Sequence, residues 1–342
     1  MDGLMGFKRK VLWPTTLVIS CLLFALSELS AAILSTGSVE PEIDAWDSNT
    51  WGIVGNTTEG SITVDGGSRL VSKIAFVNLD FFGVGSATVR GQGSQWLNTD
   101  ALYIGGSYSG TLNIEAGGYV STKSGSLAGG AISYGKTIVS GAGSFWDIRE
   151  SLEVGNHGAG YLVVESGGRV RSGDAVIGRL DFEIGTSRAS VSGLGSRWTC
   201  RGNLVVGHSA VASLSISDGG LVTVAGTLTI DSDVDGDSFI NMSAGGRLAL
   251  SGRGDATLAN FLSLTNGTEV IRYWKDEVGW MALTEATLGL DFRLRYITSG
   301  TLSGYTLLTV GQPVPEPNSY YVLLTPLLSL NAMRFRTLTI LP

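Results

Sequence analysis

Cysteine is nearly absent: two occur in 342 residues, Cys21 in an apolar N-terminal run and Cys200 in the body. With that run removed no internal disulfide is available, so packing and hydrogen bonds must hold the chain together. Histidine is as scarce, His157 and His208 being the only two. Proline occurs 7 times, and the 49 glycines do not fall on every third residue, which excludes a collagen triple helix. Charged residues make up 15% with a net charge of −7 and a pI near 4.9, and no basic run interrupts the body, so a nucleic-acid partner is not expected. Disorder is excluded in turn by an ordinary apolar fraction of 43% and a mean hydropathy of +0.24. Neither Gly-x-Ser-x-Gly, His-Glu-x-x-His nor a phosphate loop is present, and Gly91-Gln92-Gly93-Ser94-Gln95-Trp96 lacks the third glycine of a dinucleotide fingerprint.

What the chain does have is repetition. Trp46, Trp96, Trp146 and Trp198 recur at steps of 50, 50 and 52. Glycine pairs follow in step at Gly66-Gly67, Gly117-Gly118, Gly167-Gly168 and Gly219-Gly220. Between these landmarks lie Leu102-Tyr103-Ile104-Gly105, Leu152-Glu153-Val154-Gly155 and Leu204-Val205-Val206-Gly207, and then the alternations at Leu112, Leu162 and Leu214. Gly91-x-Gly93-Ser94, Gly141-x-Gly143-Ser144 and Gly193-x-Gly195-Ser196 lead into three of the tryptophans. Four matched units mark a repeat architecture.

Period-two alternation with closely and regularly spaced glycine turns predicts short strands, and no stretch of the body shows a sustained helical period. A tandem unit whose neighbours resemble itself fits a solenoid, so the predicted fold is all-β, a parallel β-helix of about 25 residues per coil with two coils per unit. Steps of 24 from Leu204 to Leu228 and 26 from Gly219 to Gly245 mark the half-unit. Eight or nine coils at about 4.8 Å give a rod of roughly 40 Å. Trp96, Trp146 and Trp198 should then share one column, two rungs or roughly 10 Å apart. They would serve as core residues or, alternatively, as an exposed sugar-stacking strip.

The ends differ from the body. Lys8-Arg9-Lys10 precedes the apolar run 11–26, and Ser30, Ala31 and Ala32 supply small residues at a cleavage site. This marks residues 1–32 as a signal peptide with an apolar helix. An uncleaved anchor is the other reading of a run that is short for a span and contains Pro14. Residues 33–255 form the repeat solenoid and 256–311, with strand-like runs at 288–296 and 305–310, continue or cap it. Residues 312–342 form a tail. There, Val314-Pro315-Glu316-Pro317 is followed by a short apolar stretch, 320–333, and then Arg334 and Arg336.

The Gly-x-Gly-Ser-x-Trp approach, Leu-x-(Ile/Val)-Gly middle and Gly-Gly-x-Val exit over residues 44–252 resemble the repeat of autotransporter passenger domains and bacterial PEP-CTERM proteins. The first copy departs from it: no Gly-x-Gly-Ser precedes Trp46, and Trp51 stands where Ala101 and Ser151 do, which suits a terminal cap. The tail is similar to the PEP-CTERM sorting signal. That resemblance implies an exosortase-type processing enzyme acting at Pro315-Glu316-Pro317. It also implies transient inner-membrane insertion with Arg334 and Arg336 held on the cytoplasmic side, and delivery to the cell surface or extracellular matrix. Too few residues follow 255 for a separate translocating barrel, so self-export is not expected.

Chemistry is sparse. His157 and His208 fill similar turn slots about 10 Å apart, too far for a metal cage. Asp65, Glu115 and Glu165 share one repeat position, and two rungs set them near 10 Å apart, slightly beyond the 6.5–9.5 Å of an inverting glycosidase pair. Asp231, Asp233, Asp235 and Asp237 have the spacing of the first half of a calcium loop, but Met242 stands where the closing glutamate belongs. The segment is either a weak Ca²⁺ site, with Asp233 and Asp235 the leading ligands, or a solvated turn whose aspartates bond their own backbone. The expected function is a non-enzymatic structural or adhesive solenoid, with extracellular polysaccharide as a partner. The alternative is a polysaccharide lyase or hydrolase on the same scaffold.

Overall fold

Alternation and glycine corners resolve, in a computed structural model, into three parallel sheets wound as a β-solenoid of about 8 turns with about 25 residues per turn. The structure describes residues 32–180, 186–231, 237–266 and 270–311. The expected export signal up to residue 31 lies outside them, as do Asp233, Asp235 and the tail with Pro315, Glu316, Pro317, Arg334 and Arg336. Among the described residues no helix is long and apolar enough to cross a membrane.

Each coil gives one strand to each face. In the coil of Trp146 these are Tyr134–Ser140 on a long-strand face, Phe145–Ile148 on a tryptophan face and Leu152–Val154 on a short-strand face. Register is constant over most of the rod: Gly85, Gly110, Gly135 and Gly160 pair in succession, each one coil beyond the last. The step is longer by two between Tyr161 and Arg188. Inward side chains therefore stack on their counterparts one rung away, about 4.8 Å off.

The indole column forms as expected and is buried. Leu70, Trp96, Val120, Trp146, Val170, Trp198 and Val222 pair in that order along the tryptophan face. Trp96, Trp146 and Trp198 are each 0% exposed, which overturns the sugar-stacking alternative. A second column, on the long-strand face, runs Ala87, Leu112, Thr137, Leu162, Ala189 and Leu214. Coils with tryptophan carry Ala87, Thr137 or Ala189 there, and coils with valine carry leucine. Bulk on one face is thus matched by its lack on another. This is why the sequence repeats once in every two coils although the backbone repeats in each: interiors are close-packed, and each coil must fill the same cross-section.

The short-strand face shows the same rule between rungs. Ala75, Leu102, Gly125, Leu152, Ala175 and Leu204 form one column. A Cβ placed on Gly125 would lie 2.9 Å from Cζ2 of Trp146, so the indole leans into the space that the preceding coil leaves empty. The indole N–H groups are handled unequally. Trp96 and Trp198 donate to the hydroxyls of Ser72 and Ser172 at 3.1 and 3.2 Å. Trp146 finds no partner among the described residues, because Thr122 stands in the serine position with its hydroxyl turned to the carbonyls of Asp100 and Ser124.

The Gly-x-Gly-Ser motif is a staple between coils. Ser94, Ser144 and Ser196 are buried, and each hydroxyl accepts the N–H of a corner glycine one coil earlier, Gly67, Gly117 or Gly167, at 3.0 Å. That corner also shifts the sequence alignment by one residue: Gly67, not Gly66, is the counterpart of Gly117, with Gly66 matching Ala116 in the left-handed position before it.

Both ends close by reversing chain direction. At the N-terminal end, Ala32–Gly37 and Val39–Glu40 pair antiparallel with the first long and short strands. Trp46, following a 3-10 turn at Ile43–Ala45, covers Gly52 and packs 6.2 Å from Trp96. It is a cap residue, outside the strand column. The described residues of 256–311 cap the other end. Tyr305–Val310 runs antiparallel on Arg247–Ser251, and Ile271–Lys275 turns back into Gly279–Ala282. A short helix, Leu258–Leu262, lays buried Phe261 across the core, and Thr257 caps it by accepting the Asn260 N–H at 3.1 Å. The strand-like run at 288–296 is strand only over Phe292–Tyr296, since residues 288–291 form the turn before it.

The packing rule is testable at Gly125 and Trp146. Gly125→Leu should destabilise by about 1–3 kcal/mol through overpacking, and Trp146→Val by about 3 kcal/mol through the cavity it leaves. Together they recreate the leucine-under-valine arrangement of the neighbouring coils. Denaturant midpoints should therefore show the double variant less destabilised than the two losses summed, and strict additivity would refute complementary packing.

Candidate functional site

The outward residues inherit the rung spacing, so candidate sites are columns and grooves on the faces. Asp65, Glu115 and Glu165 do share one column on the long-strand face, with Arg90 between the first two and Ser140 between the others. Arg90 Nε donates to Asp65 Oδ2 at 2.6 Å, and the Gly66 N–H to Oδ1 at 2.7 Å. Burial alone would raise the Asp65 pKa, but these two donors outweigh it and hold the carboxyl below its usual range. Asp65 is therefore held as the carboxylate, not as a proton donor, and the three acids stand two rungs apart, about 10 Å.

His157 and His208 occupy matching backbone slots: each donates its N–H to the corner residue of the preceding coil, Ala128 or Gly178, at 3.0 Å. They lie two coils apart, and Nδ1 of His208 sits 2.9 Å from the Ser209 hydroxyl. Of the aspartate loop, Asp231 and Asp237 are described. Asp231 takes the left-handed corner position, φ 58°, that Gly155, Gly178 and Gly207 take in earlier coils, which is why an aspartate tolerates it. Its Oδ1 is buried without a partner among the described residues, whereas Asp237 is exposed.

One groove went unforeseen. On the outer side of the tryptophan face a cavity of about 450 Å³ runs over the coils of Phe145, Arg169, Arg197 and Thr223, walled by Leu302 and Tyr305 of the C-terminal cap. Phe145, Arg169, Arg197, Leu221 and Arg247 form one outward column. Arg171, in the next column, is held bidentately by Asp147 at 2.8 and 2.6 Å and lies over the Phe145 ring at 5.3 Å. No hydrogen bond or ion pair to the guanidinium of Arg169 or Arg197 is found among the described residues. Partial burial, with Arg169 and Arg247 nearby, lowers the Arg197 pKa. No linear run reveals this cluster, because its members lie a full coil or more apart along the chain. The usable signal was an arginine recurring immediately before the core residues Val170, Trp198 and Leu248.

Cys200 is a core residue between Ser172 and Val224. Its thiol contacts the carbonyls of Gly173 and Asn203 at 3.0 and 3.1 Å, and burial pushes its pKa up to about 11. Such a thiol is inert.

No protein-family model matches the chain, and neither does any curated protein or solved structure.

Cys200 supplies a pH test. In the unfolded chain the thiol ionises near its ordinary 9.0, whereas the folded one keeps its proton to about 11. Stability owed to the neutral thiol is therefore complete below pH 9 and drains away as pH rises toward 11, by about 2–3 kcal/mol. Denaturation of wild type and Cys200→Val across that range should show an extra loss of that size in wild type. In the chain lacking residues 1–32, a thiol reagent should label Cys200 only on unfolding.

Proposed function

We propose that the protein is an exported, non-enzymatic β-solenoid of the cell envelope or extracellular matrix, where it acts as a structural or adhesive rod. The observation that supports this best is the regularity of the described coils. Their register steps are nearly constant, and their outward columns present a long, rigid, mostly polar surface suited to repeated contacts with a polymer or a neighbouring surface. Pairing of Asp65 with Arg90 and the two-rung separation of the acid column favour this over a hydrolase.

In the same reading, export depends on residues 1–32, and an exosortase-type enzyme cuts the tail at Pro315-Glu316-Pro317 while Arg334 and Arg336 hold the segment in the inner membrane. Mass spectrometry of the protein from envelope and medium fractions should find chains beginning at Ile33 and ending near Pro315–Pro317. A tail found intact through Pro342 would overturn sorting in favour of a membrane-retained protein. The unpartnered Asp231 carboxylate oxygen favours the calcium reading of the aspartate turn. If it is right, Ca²⁺ should raise the melting temperature by a few degrees, EDTA should reverse the rise, and Asp233→Asn/Asp235→Asn should abolish it. An unchanged melting curve would reduce the segment to a turn.

A further inference from the structure

The arginine groove points beyond a passive rod. Arg169 and Arg197 are register partners on adjacent coils, so their backbones stand about 4.8 Å apart and two like charges project side by side, close enough for Arg169 to act on Arg197, with no carboxylate paired to either among the described residues. Three arginines elsewhere on the rod are matched to carboxylates, Arg90 to Asp65, Arg171 to Asp147 and Arg179 to Glu153; what sets Arg169 and Arg197 apart is that they are adjacent and share a groove. Thr223, only 4% exposed, lines the same groove with a hydroxyl that has no partner among the described residues. A buried hydroxyl left unpaired beside unpaired guanidinium groups is costly in the empty groove and useful in an occupied one. Phe145 and Tyr305 add apolar surface.

We propose that this groove binds an acidic polysaccharide laid along the rod axis, with its carboxylate or sulfate groups on Arg169 and Arg197 and a sugar hydroxyl on Thr223. The inference rests on the adhesive reading and names its ligand class. The groove crosses four coils, about 14 Å, enough for a few sugar residues, and guanidinium forks match planar carboxylate and sulfate alike. A nucleic acid meets the same cations but draws its affinity from many phosphate contacts, more than Arg169 and Arg197 of this groove supply.

The test uses the mature chain and four polymers: polygalacturonate, dextran sulfate, neutral dextran and single-stranded DNA. Titration calorimetry should show binding to one or both acidic glycans that weakens with added salt, and none to dextran. Arg169→Gln/Arg197→Gln should lower that affinity at least tenfold, and Thr223→Val should lower it several-fold. Both variants should melt no earlier than wild type, since one relieves the arginine pair and the other removes a buried hydroxyl that has no partner among the described residues. Arg90→Gln, on the long-strand face, should bind as wild type does. Polygalacturonate bound more tightly than dextran sulfate identifies a uronic-acid ligand, and the reverse order a sulfated one. Undiminished glycan binding by the double variant would overturn the groove while leaving the adhesive reading intact. Binding of no glycan would overturn both, and tighter binding of DNA would replace the ligand class.

Discussion

Everything in this molecule follows from the need of each coil to fill the same triangular cross-section as its neighbours. Parallel strands in constant register allow no lateral adjustment, so a bulky side chain on one face must be met by a small one on another. The pairing of tryptophan with Ala87, Thr137 and Ala189, and of valine with Leu112, Leu162 and Leu214, is the solution found here. The empty place at Gly125 belongs to the same solution, displaced by one rung. The core is therefore built of two interlocking kinds of layer, and each layer makes sense only between layers of the other kind.

A stack of this sort has no intrinsic end, and a bare terminal coil would offer both an apolar cross-section and unpaired strand edges. The chain meets both needs with reversed strands and a few large side chains: Trp46 at one end, Phe261, Tyr273 and Phe292 at the other. Because the C-terminal cap folds back along the tryptophan face, it also raises the wall beside Arg197. The groove thus exists where a regular surface meets the device that terminates it.

Much of the architecture was legible in the sequence because repetition converts weak local signals into strong ones. Leu102, Leu152 and Leu204 carry little information singly, yet their spacing announced the period, and the shorter step from Leu204 to Leu228 the two coils within it. The tryptophan column followed from the same arithmetic. Relations between columns were hidden, because they depend on which faces point at one another. Nothing in a linear reading pairs Trp146 with Thr137 or sets its ring against Gly125. The first glycine pair misled by one residue because Gly66 does in its corner what Ala116 does in the next unit, and left-handed backbone accepts either when hydrogen bonding insists. Arg169 and Arg197 escaped for a similar reason: winding makes them neighbours, while along the chain a whole coil separates them.

The alternation of layers has an arithmetic consequence for how such a chain can change length. Excising a lone coil, for instance the one carrying Leu112, Val120 and Gly125, would bring Trp146 down upon Leu102 and set Ala87 beside Thr137, creating a collision and a void in adjoining places. Excising or adding coils two at a time preserves parity and disturbs neither. The rod is thus quantised in steps of two rungs, roughly 10 Å, and gene duplications that respect this step would be accepted where odd ones would not.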